Sequence, residues 1–344
     1  MKQVRSIVKY VTGLVFFLVS VQLTAQDSGP RSIEERIAKV ENITSKLPKI
    51  SGYLNMRYQY SDADDSNSFD IRRMRVNFQG DISPSFDYRL QVEFANSPKI
   101  LDAYIRWKIN SSFNIEAGQF KFPFSLENPY GPTNLEVIDN SLVITALSGY
   151  SDLSGISANG RDVGVSFYGS LLKKESYNII DYHVGIFNGA GINASDKNKS
   201  KDFSGMLSIH PIKDLTVAVS HYNGSTGAQD DTHQRVRSGA GVKYDDGKFL
   251  FRSEYIQGKT GAMKSEGAYG VFGYFVTPKF QPVVKYDYFK TDMSANNTEQ
   301  NNYLLGFNYL PIKNIRLQLN YTRKTYAGDT KDFNYLAAQI VAIF

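Results

Sequence analysis

Pairs of basic side chains separated by one residue occur in the first third of this chain. Arg73 and Arg75 are separated by one residue, and so are Arg106 and Lys108. A guanidinium group offers a planar fork of N–H donors that suits phosphate and carboxylate oxygens. A row of such groups on one face could replace part of the hydration shell of an anion. The residues that share this polar phase near the start of the chain are Arg57, Arg73, Arg75, Arg89, Arg106 and Lys108.

The elements that carry these residues alternate with period two. In residues 101–109, for example, Leu101, Ala103, Ile105, Trp107 and Ile109 oppose Asp102, Tyr104, Arg106 and Lys108. This alternation is typical of β-strands with one apolar and one polar face. We count sixteen such segments between residues 49 and 344. Tight turns such as Ser83-Pro84-Ser85 alternate with longer polar loops, which is the pattern of a transmembrane β-barrel.

In lipid, every backbone N–H and C=O group must be paired inside the protein, and this condition favours a closed sheet. We therefore predict an all-β fold, a 16-stranded antiparallel transmembrane β-barrel over residues 49–344. Its apolar face meets lipid and its polar face lines water. Sixteen strands leave an aqueous lumen, whereas eight do not.

The charge pattern leaves two interpretations open. The basic residues could form an anion pathway, or they could pair with Glu93, Asp102 and neighbouring acids and stiffen the barrel wall. Arg72 falls in the lipid-facing phase beside Arg73, so it is expected near a rim or at a β-bulge.

The segment at 122–160 is the longest predicted loop. Loops above about 15 residues are usually functional, and we interpret this one as a loop that folds inward and narrows the pore. The alternative is an outward-facing lid. A short helix is predicted near Leu135–Leu147. The loop contains no lysine or arginine between Phe122 and Gly160, although it contains Glu127, Glu136, Asp139 and Asp152.

The first 48 residues have a different character. Residues 1–25 combine Lys2, Arg5 and Lys9 with a short apolar stretch, which predicts a cleaved signal peptide and Sec-type export. Residues 26–48 are predicted to be a periplasmic segment. Within it, apolar residues at heptad spacing from Ile33 to Leu47 predict a short amphipathic helix that forms a coiled coil. Its deletion should then weaken oligomers.

The composition argues against several functions. The 344 residues contain no cysteine, and without residues 1–25 the chain carries 36 basic and 34 acidic residues. The four histidines are scattered, and no phosphate-binding loop or dinucleotide motif occurs. We therefore predict no metal, no cofactor, no nucleic-acid partner and no enzymatic activity.

Several stretches together resemble the phosphate-selective porin O and P family across nearly all of the mature chain. The most telling are 72-RRMRVNFQG-80, 118-GQFKFPFSLEN-128 and 269-YGVFGYFVTPKFQPVVKYD-287. The resemblance implies a trimeric 16-stranded barrel in the Gram-negative outer membrane, with an infolded third loop and anion passage. By motif, Arg72, Arg73 and Arg75 match the arginine-rich second strand of the family, Asp102 the acid of its D-A-Y motif, and Lys121 the lysine before its pore loop.

The loop departs from this pattern, because phosphate-selective members carry lysines in it and this chain does not. We expect a passive channel for small solutes, with anions such as phosphate as the candidates. The predicted solute-binding residues are Arg57, Arg72, Arg73, Arg75, Arg89, Asp102, Arg106, Lys108 and Lys121. The predicted partners are outer-membrane lipid, small anions and two further copies of the chain. The alternatives are a closed barrel that acts as an adhesin or structural anchor, and an outer-membrane hydrolase.

Overall fold

The computed structural model describes Ser32, Ile33, Ile37 and residues 47–344 except 197 and 229. Residues 1–47 and 48–344 form separate units. The predicted signal peptide lies outside the described residues. The predicted N-terminal helix lies almost wholly outside them as well, so the fold gives it no support.

Residues 48–344 form a closed barrel of sixteen antiparallel strands, as predicted. The first eight strands are β1 (Lys49–Ser61), β2 (Ser66–Ser83), β3 (Phe86–Glu93), β4 (Lys99–Asn110), β5 (Phe113–Lys121), β6 (Arg161–Lys173), β7 (Asn178–Phe187) and β8 (Asp202–Ile209). The other eight are β9 (Leu215–Thr226), β10 (His233–Asp245), β11 (Phe249–Thr260), β12 (Met263–Tyr274), β13 (Phe280–Lys290), β14 (Glu299–Ile312), β15 (Ile315–Tyr326) and β16 (Phe333–Ile343).

The barrel closes between its first and last strands. Tyr53 of β1 lies opposite Ile343 of β16, and the pairing runs to Ser61 opposite Tyr335. Below Ile343, the backbone of Phe344 exchanges two hydrogen bonds with Gly52, of 2.8 and 2.9 Å. A Cβ atom at position 52 would lie 2.4 Å from the backbone oxygen of Arg75 and 2.6 Å from the Phe344 ring, so glycine is needed here for the close approach of β1 to both of its neighbours.

The outer surface of the barrel is apolar, as the alternation predicts. Met56, Ile105 and Leu305 are about half exposed on it. Aromatic pairs mark both ends: Phe86 stacks on Trp107 near the short turns, and Tyr58 lies against Phe69 near the long loops with ring centroids 4.9 Å apart. Such aromatic girdles lie at the two membrane interfaces of barrels, and the end with the short turns faces the periplasm. Among the described residues, no helix has the length and apolar content to cross a membrane.

Two β-bulges change which side chains point inward. In the β1–β2 pair, Asn55 lies opposite Arg73 and Met56 lies opposite Ile71, so Arg72 is the extra residue. Arg72 and Arg73 can therefore both reach the lumen, which explains the phase conflict seen in the sequence. In the β3–β4 pair the extra residue is Leu101, which is fully buried. The assignment of Leu101 to the lipid face was therefore wrong.

The segment between β5 and β6 folds into the barrel. We call residues 122–160 the pore loop. Its only regular element is the helix α1 (Leu142–Leu147), which is shorter than the predicted range. Val143, Ile144 and Leu147 are buried in an apolar cluster with wall residues that include Ile256 and Tyr269. The helix contacts β12 and β13. The loop thus fills the side of the lumen formed by the later strands.

Candidate solute pathway

The acidic residues of the pore loop are anchored to arginines of the barrel wall. Arg252 of β11 donates to Glu136 at 2.8 Å, and its Nη2 atom lies 3.6 Å from Glu127. Arg235 and Arg237 of β10 share Asp152 at 3.2 and 3.0 Å. These three arginines are at most 1% exposed. The wall arginines thus neutralise the charges of these loop carboxylates.

Neutral hydrogen bonds complete the attachment of the loop. The Glu254 carboxylate accepts the backbone N–H of Leu126 at 2.7 Å and the hydroxyl of Ser125 at 2.8 Å. Near the other wall, Asn320 accepts the N–H of Ile138 at 2.8 Å, and Asn308 donates to the carbonyl of Glu136 at 2.9 Å. Both ends of the loop segment before α1 are therefore fixed to strands far away in sequence.

Two loop carboxyl groups have lowered pKa values. Burial works against the ionised form of Asp152, but Arg235 and Arg237 outweigh it and lower the pKa. Burial likewise opposes ionisation of Asp139, and Arg72 and Arg57 reverse the balance. Both groups are therefore held in the charged form that the arginines require.

Two cavities remain between the loop and the barrel wall, the inner one against β1–β6 and the outer one against β2 and β13–β16. The outer cavity, of about 420 Å³, is lined by residues from the outer halves of the strands and by loop residues such as Tyr150. The inner cavity, of about 410 Å³, lies toward the short turns. Arg73 lines the outer cavity and Arg75 the inner one. Because these residues are two apart in β2, the two cavities are offset by ~7 Å along the strand.

Each cavity is lined by four basic and two acidic side chains. In the outer cavity these are Arg72, Arg73, Lys285, Lys324, Asp139 and Asp287. In the inner cavity they are Arg75, Arg89, Lys121, Arg161, Asp102 and Glu116. With the ordinary charge states, the two linings carry the same net positive charge.

Most of the predicted solute-binding residues are engaged in ion pairs. Arg57 pairs with Asp70 at 2.6 Å, Arg72 with Asp139 at 2.5 Å, and Arg75 with Glu93 at 2.7 Å. Asp102 receives Arg161 at 2.6 Å and Arg89 at 3.3 Å. Near the short turns, Arg106 pairs with Asp87 and Lys108 with Asp81, both at 2.8 Å. Wall-stiffening pairs therefore account for many of these residues.

Lys121 and Arg73 differ from the others. Lys121 donates to the carbonyls of Asn128 and Tyr130 at 2.5 and 2.6 Å and to the Tyr150 hydroxyl at 3.3 Å, so its charge faces only neutral acceptors. Arg73 has no ion pair or hydrogen bond within the described part of the chain, and its Nη1 atom is buried. The neighbouring Asn55 amide is equally without a partner. Such groups need water or a solute to complete their hydrogen bonding.

Sequence reasoning missed two arginines that the structure shows to be central. Arg235 shares the lumen phase of Arg237, so the alternation could have found it. Arg161 begins β6 and its partner Asp102 lies 59 residues earlier, so only the folded wall brings them together. Among the described residues, no group of three potential metal ligands occurs.

A closed sixteen-stranded barrel with an infolded, wall-anchored loop and basic cavities defines the porin class of outer-membrane channels. The family model of the phosphate-selective porins O and P matches residues 51–343, and the chain belongs to that family. The protein is thus a porin of the Gram-negative outer membrane, which confirms the resemblance noted in the sequence and favours a channel over an adhesin or hydrolase.

Solved structures share the fold at low identity. The anion-selective porin from Comamonas acidovorans is 13% identical with a TM-score of 0.67, and the match covers 86% of this chain and 99% of that chain. OmpF of Salmonella typhi is 13% identical with a TM-score of 0.64, over 88% and 99% of the two chains. OmpT of Vibrio cholerae is 13% identical with a TM-score of 0.62, over 86% and 97%. No curated protein matches the sequence.

Proposed function

We propose that this porin favours small anions and that Arg73 contributes most directly to the preference. The observation that carries the proposal is the Arg73 guanidinium, which lines the outer cavity and has no acidic partner or hydrogen-bond acceptor among the residues that the structure describes. A guanidinium that already faces a carboxylate offers little net attraction to an anion, whereas one without a partner offers its full charge and its donors.

Lys121 acts on the loop rather than directly on the solute. All three of its N–H donors point to loop oxygens, so it positions the loop beside the inner cavity. The other predicted solute-binding residues, Arg57, Arg72, Arg75, Arg89, Asp102, Arg106 and Lys108, then act mainly as a balanced lattice that keeps the wall rigid. The acidic loop does not oppose anions, because wall arginines neutralise its carboxylates.

The reversal potential in a tenfold KCl gradient across a planar bilayer tests the role of Arg73. Arg73→Gln should lower the anion-to-cation permeability ratio on the order of fivefold. A unit charge ~8 Å from an ion in water is worth ~0.5 kcal/mol and acts with opposite sign on anion and cation.

The matched control removes a pair instead of a free charge. Arg75→Gln combined with Glu93→Gln eliminates two lumen charges of opposite sign, so the permeability ratio should change by less than twofold. An unchanged reversal potential for Arg73→Gln, or an equal drop in the paired variant, would remove Arg73 from the proposal.

The anion itself is tested by conductance block of the wild-type channel. Phosphate and pyrophosphate should reduce chloride current at millimolar concentrations if the unpartnered donors hold an oxyanion. Equal currents with and without phosphate would leave a general anion preference and would exclude a phosphate site.

We also propose that the porin works as a homotrimer after Sec-type export. One structural relative is a trimer form of Vibrio cholerae OmpT, which is 13% identical. Deletion of residues 31–47 should weaken the trimer in detergent if the N-terminal segment is a coiled coil. Cross-linking or light scattering of the intact and shortened proteins decides this, and a trimer of unchanged stability would dismiss the coiled coil.

A further inference from the structure

The short turns at the periplasmic end carry a row of lysines that the channel function does not use. They occur in the five consecutive turns from β6–β7 to β14–β15, and all of them are exposed. We call them the lysine arc: Lys173, Lys174, Lys213, Lys248, Lys279 and Lys313. The other two turns, Pro84-Ser85 and Ser111-Ser112, contain no lysine.

The lysines of the arc have no acidic partners. Within the described residues, none of the six lies within 4 Å of a carboxylate oxygen, whereas at the outer end Lys290 pairs with Glu299 at 2.5 Å and Arg323 with Asp332 at 3.2 Å. Lys174 and Lys248 lie over the rings of Tyr177 and Tyr274 at 5.4 and 5.3 Å. The same turns also hold Glu175, Asp214 and Asp246, so the six lysines leave a net positive charge at the level of the lipid headgroups.

An exposed apolar side chain accompanies the lysines in four of the five turns. Leu172, Ile212, Val276 and Ile312 are between 56 and 63% exposed. A leucine or isoleucine at this depth can insert among acyl chains while the neighbouring lysine reaches outward to the phosphate level. A purely polar polymer such as peptidoglycan would contact the lysines but would leave these apolar groups in water.

We propose that the lysine arc binds anionic phospholipids of the periplasmic leaflet and that the sector around β2–β5, whose turns contain no lysine and whose Lys108 is paired with Asp81, does not. A zwitterionic headgroup supplies its own ammonium group, whereas an anionic headgroup such as phosphatidylglycerol leaves its phosphate for the protein. Several basic residues at a membrane surface act together on such lipids. The proposal concerns the outer rim of the barrel and is independent of the anion preference of the pore.

Lipid retention by the purified full-length porin tests the proposal. Native mass spectrometry after mixing with phosphatidylglycerol or phosphatidylethanolamine should show preferential retention of phosphatidylglycerol. Replacing Lys213, Lys248, Lys279 and Lys313 by Gln should weaken this retention by about fivefold per lysine. Replacing the same four residues by Arg should preserve it.

The matched control replaces four lysines at the outer end, Lys199, Lys264, Lys290 and Lys331, by Gln. It should retain phosphatidylglycerol like the wild type. Unchanged retention in the inner Gln variant, or an equal loss in the outer one, overturns the proposal. So does an inner variant that loses sedimentation with peptidoglycan sacculi and keeps its lipid.

A second measurement does not depend on removing lysines. Trp107 is the only tryptophan and lies in the sector around β2–β5, outside the lysine arc. Brominated phosphatidylglycerol and brominated phosphatidylethanolamine should quench it equally. In a Trp107→Phe, Tyr274→Trp variant, whose reporter lies beside Lys248, brominated phosphatidylglycerol should quench more strongly. Equal quenching by the two lipids at both positions would contradict the proposed lipid arc.

Discussion

Lumen arginines on two sides of the barrel look alike in the sequence but have different roles. Arg235, Arg237 and Arg252 of β10 and β11 are completely buried and hold the carboxylates of the pore loop. Arg73 of β2 lines a cavity and has no ion pair with any of the described residues. Arginines at the same strand phase thus bind carboxylates of the pore loop on one side of the barrel, whereas on the other side an arginine faces a cavity. The position of the loop makes the difference.

Removal of an arginine that binds the carboxylates of the pore loop should cause the largest loss of stability. Arg252→Ala leaves Glu127 and Glu136 buried without their cation and should cost about 3–5 kcal/mol. Urea unfolding in detergent micelles, followed by Trp107 fluorescence, measures it. Arg323→Ala, which removes a partly exposed pair with Asp332, is the control and should cost about 0–1 kcal/mol. Similar losses of stability in the two variants would show that the buried pairs of Arg252 are no more stabilising than the exposed pair of Arg323.

The Asp152→Asn substitution should remove the carboxylate that Arg235 and Arg237 share. The loop then gains mobility and the lumen gains positive charge. We expect noisier single channels and a rise in the anion-to-cation permeability ratio of about threefold, for a unit charge ~12 Å from the ion in water. A variant with unchanged selectivity would show that these arginines are electrically remote from the pathway.

Removing the bulge residue should have a smaller effect. Deletion of Arg72 restores regular alternation in β2 and leaves Asp139 without its partner, at a cost of about 1 kcal/mol for a partly exposed pair. The barrel should still form, with a slightly reduced anion preference. Heat-modified migration on gels and the reversal potential check both points, and failure to assemble would assign the bulge a role in folding.

The smallest effect is expected from pH. Because the pKa values of Asp139 and Asp152 are lowered in the folded protein, their stabilising contribution is complete above about pH 4, the ordinary range of an aspartate. It declines as the pH falls toward the lowered values. Channel noise should therefore be constant between pH 8 and 5 and should increase only below about pH 4. An increase near pH 6 would implicate other groups.

The sequence predicted the barrel well because a strand that separates lipid from water must alternate. The sixteen strands, the tight turns and the conflict at Arg72 all follow from that local rule. The pairing of charges does not follow from it. Arg252 and Glu136 are 116 residues apart, and nothing near either residue indicates that they meet.

The candidate pathway was therefore only partly predictable. Arg73 was selected together with eight other residues, and the sequence could not separate it from Arg75, which differs by its contact with Glu93. The absence of lysine and arginine from the loop departs from the phosphate-selective pattern, but the sequence did not indicate that wall arginines neutralise the acids of the loop. Local pattern identifies lumen residues, and only the three-dimensional packing shows which of them remain unpaired.

The contact between Gly52 and Phe344 has a consequence for assembly. Pairing β1 with β16 joins segments nearly 300 residues apart, which makes it the entropically most expensive ladder of the sheet. A fluorophore on β1 and a quencher on β16 would therefore report barrel closure separately from the formation of the hairpins. Gly52→Ala, whose Cβ would meet both the Arg75 backbone oxygen and the Phe344 ring, should delay that signal.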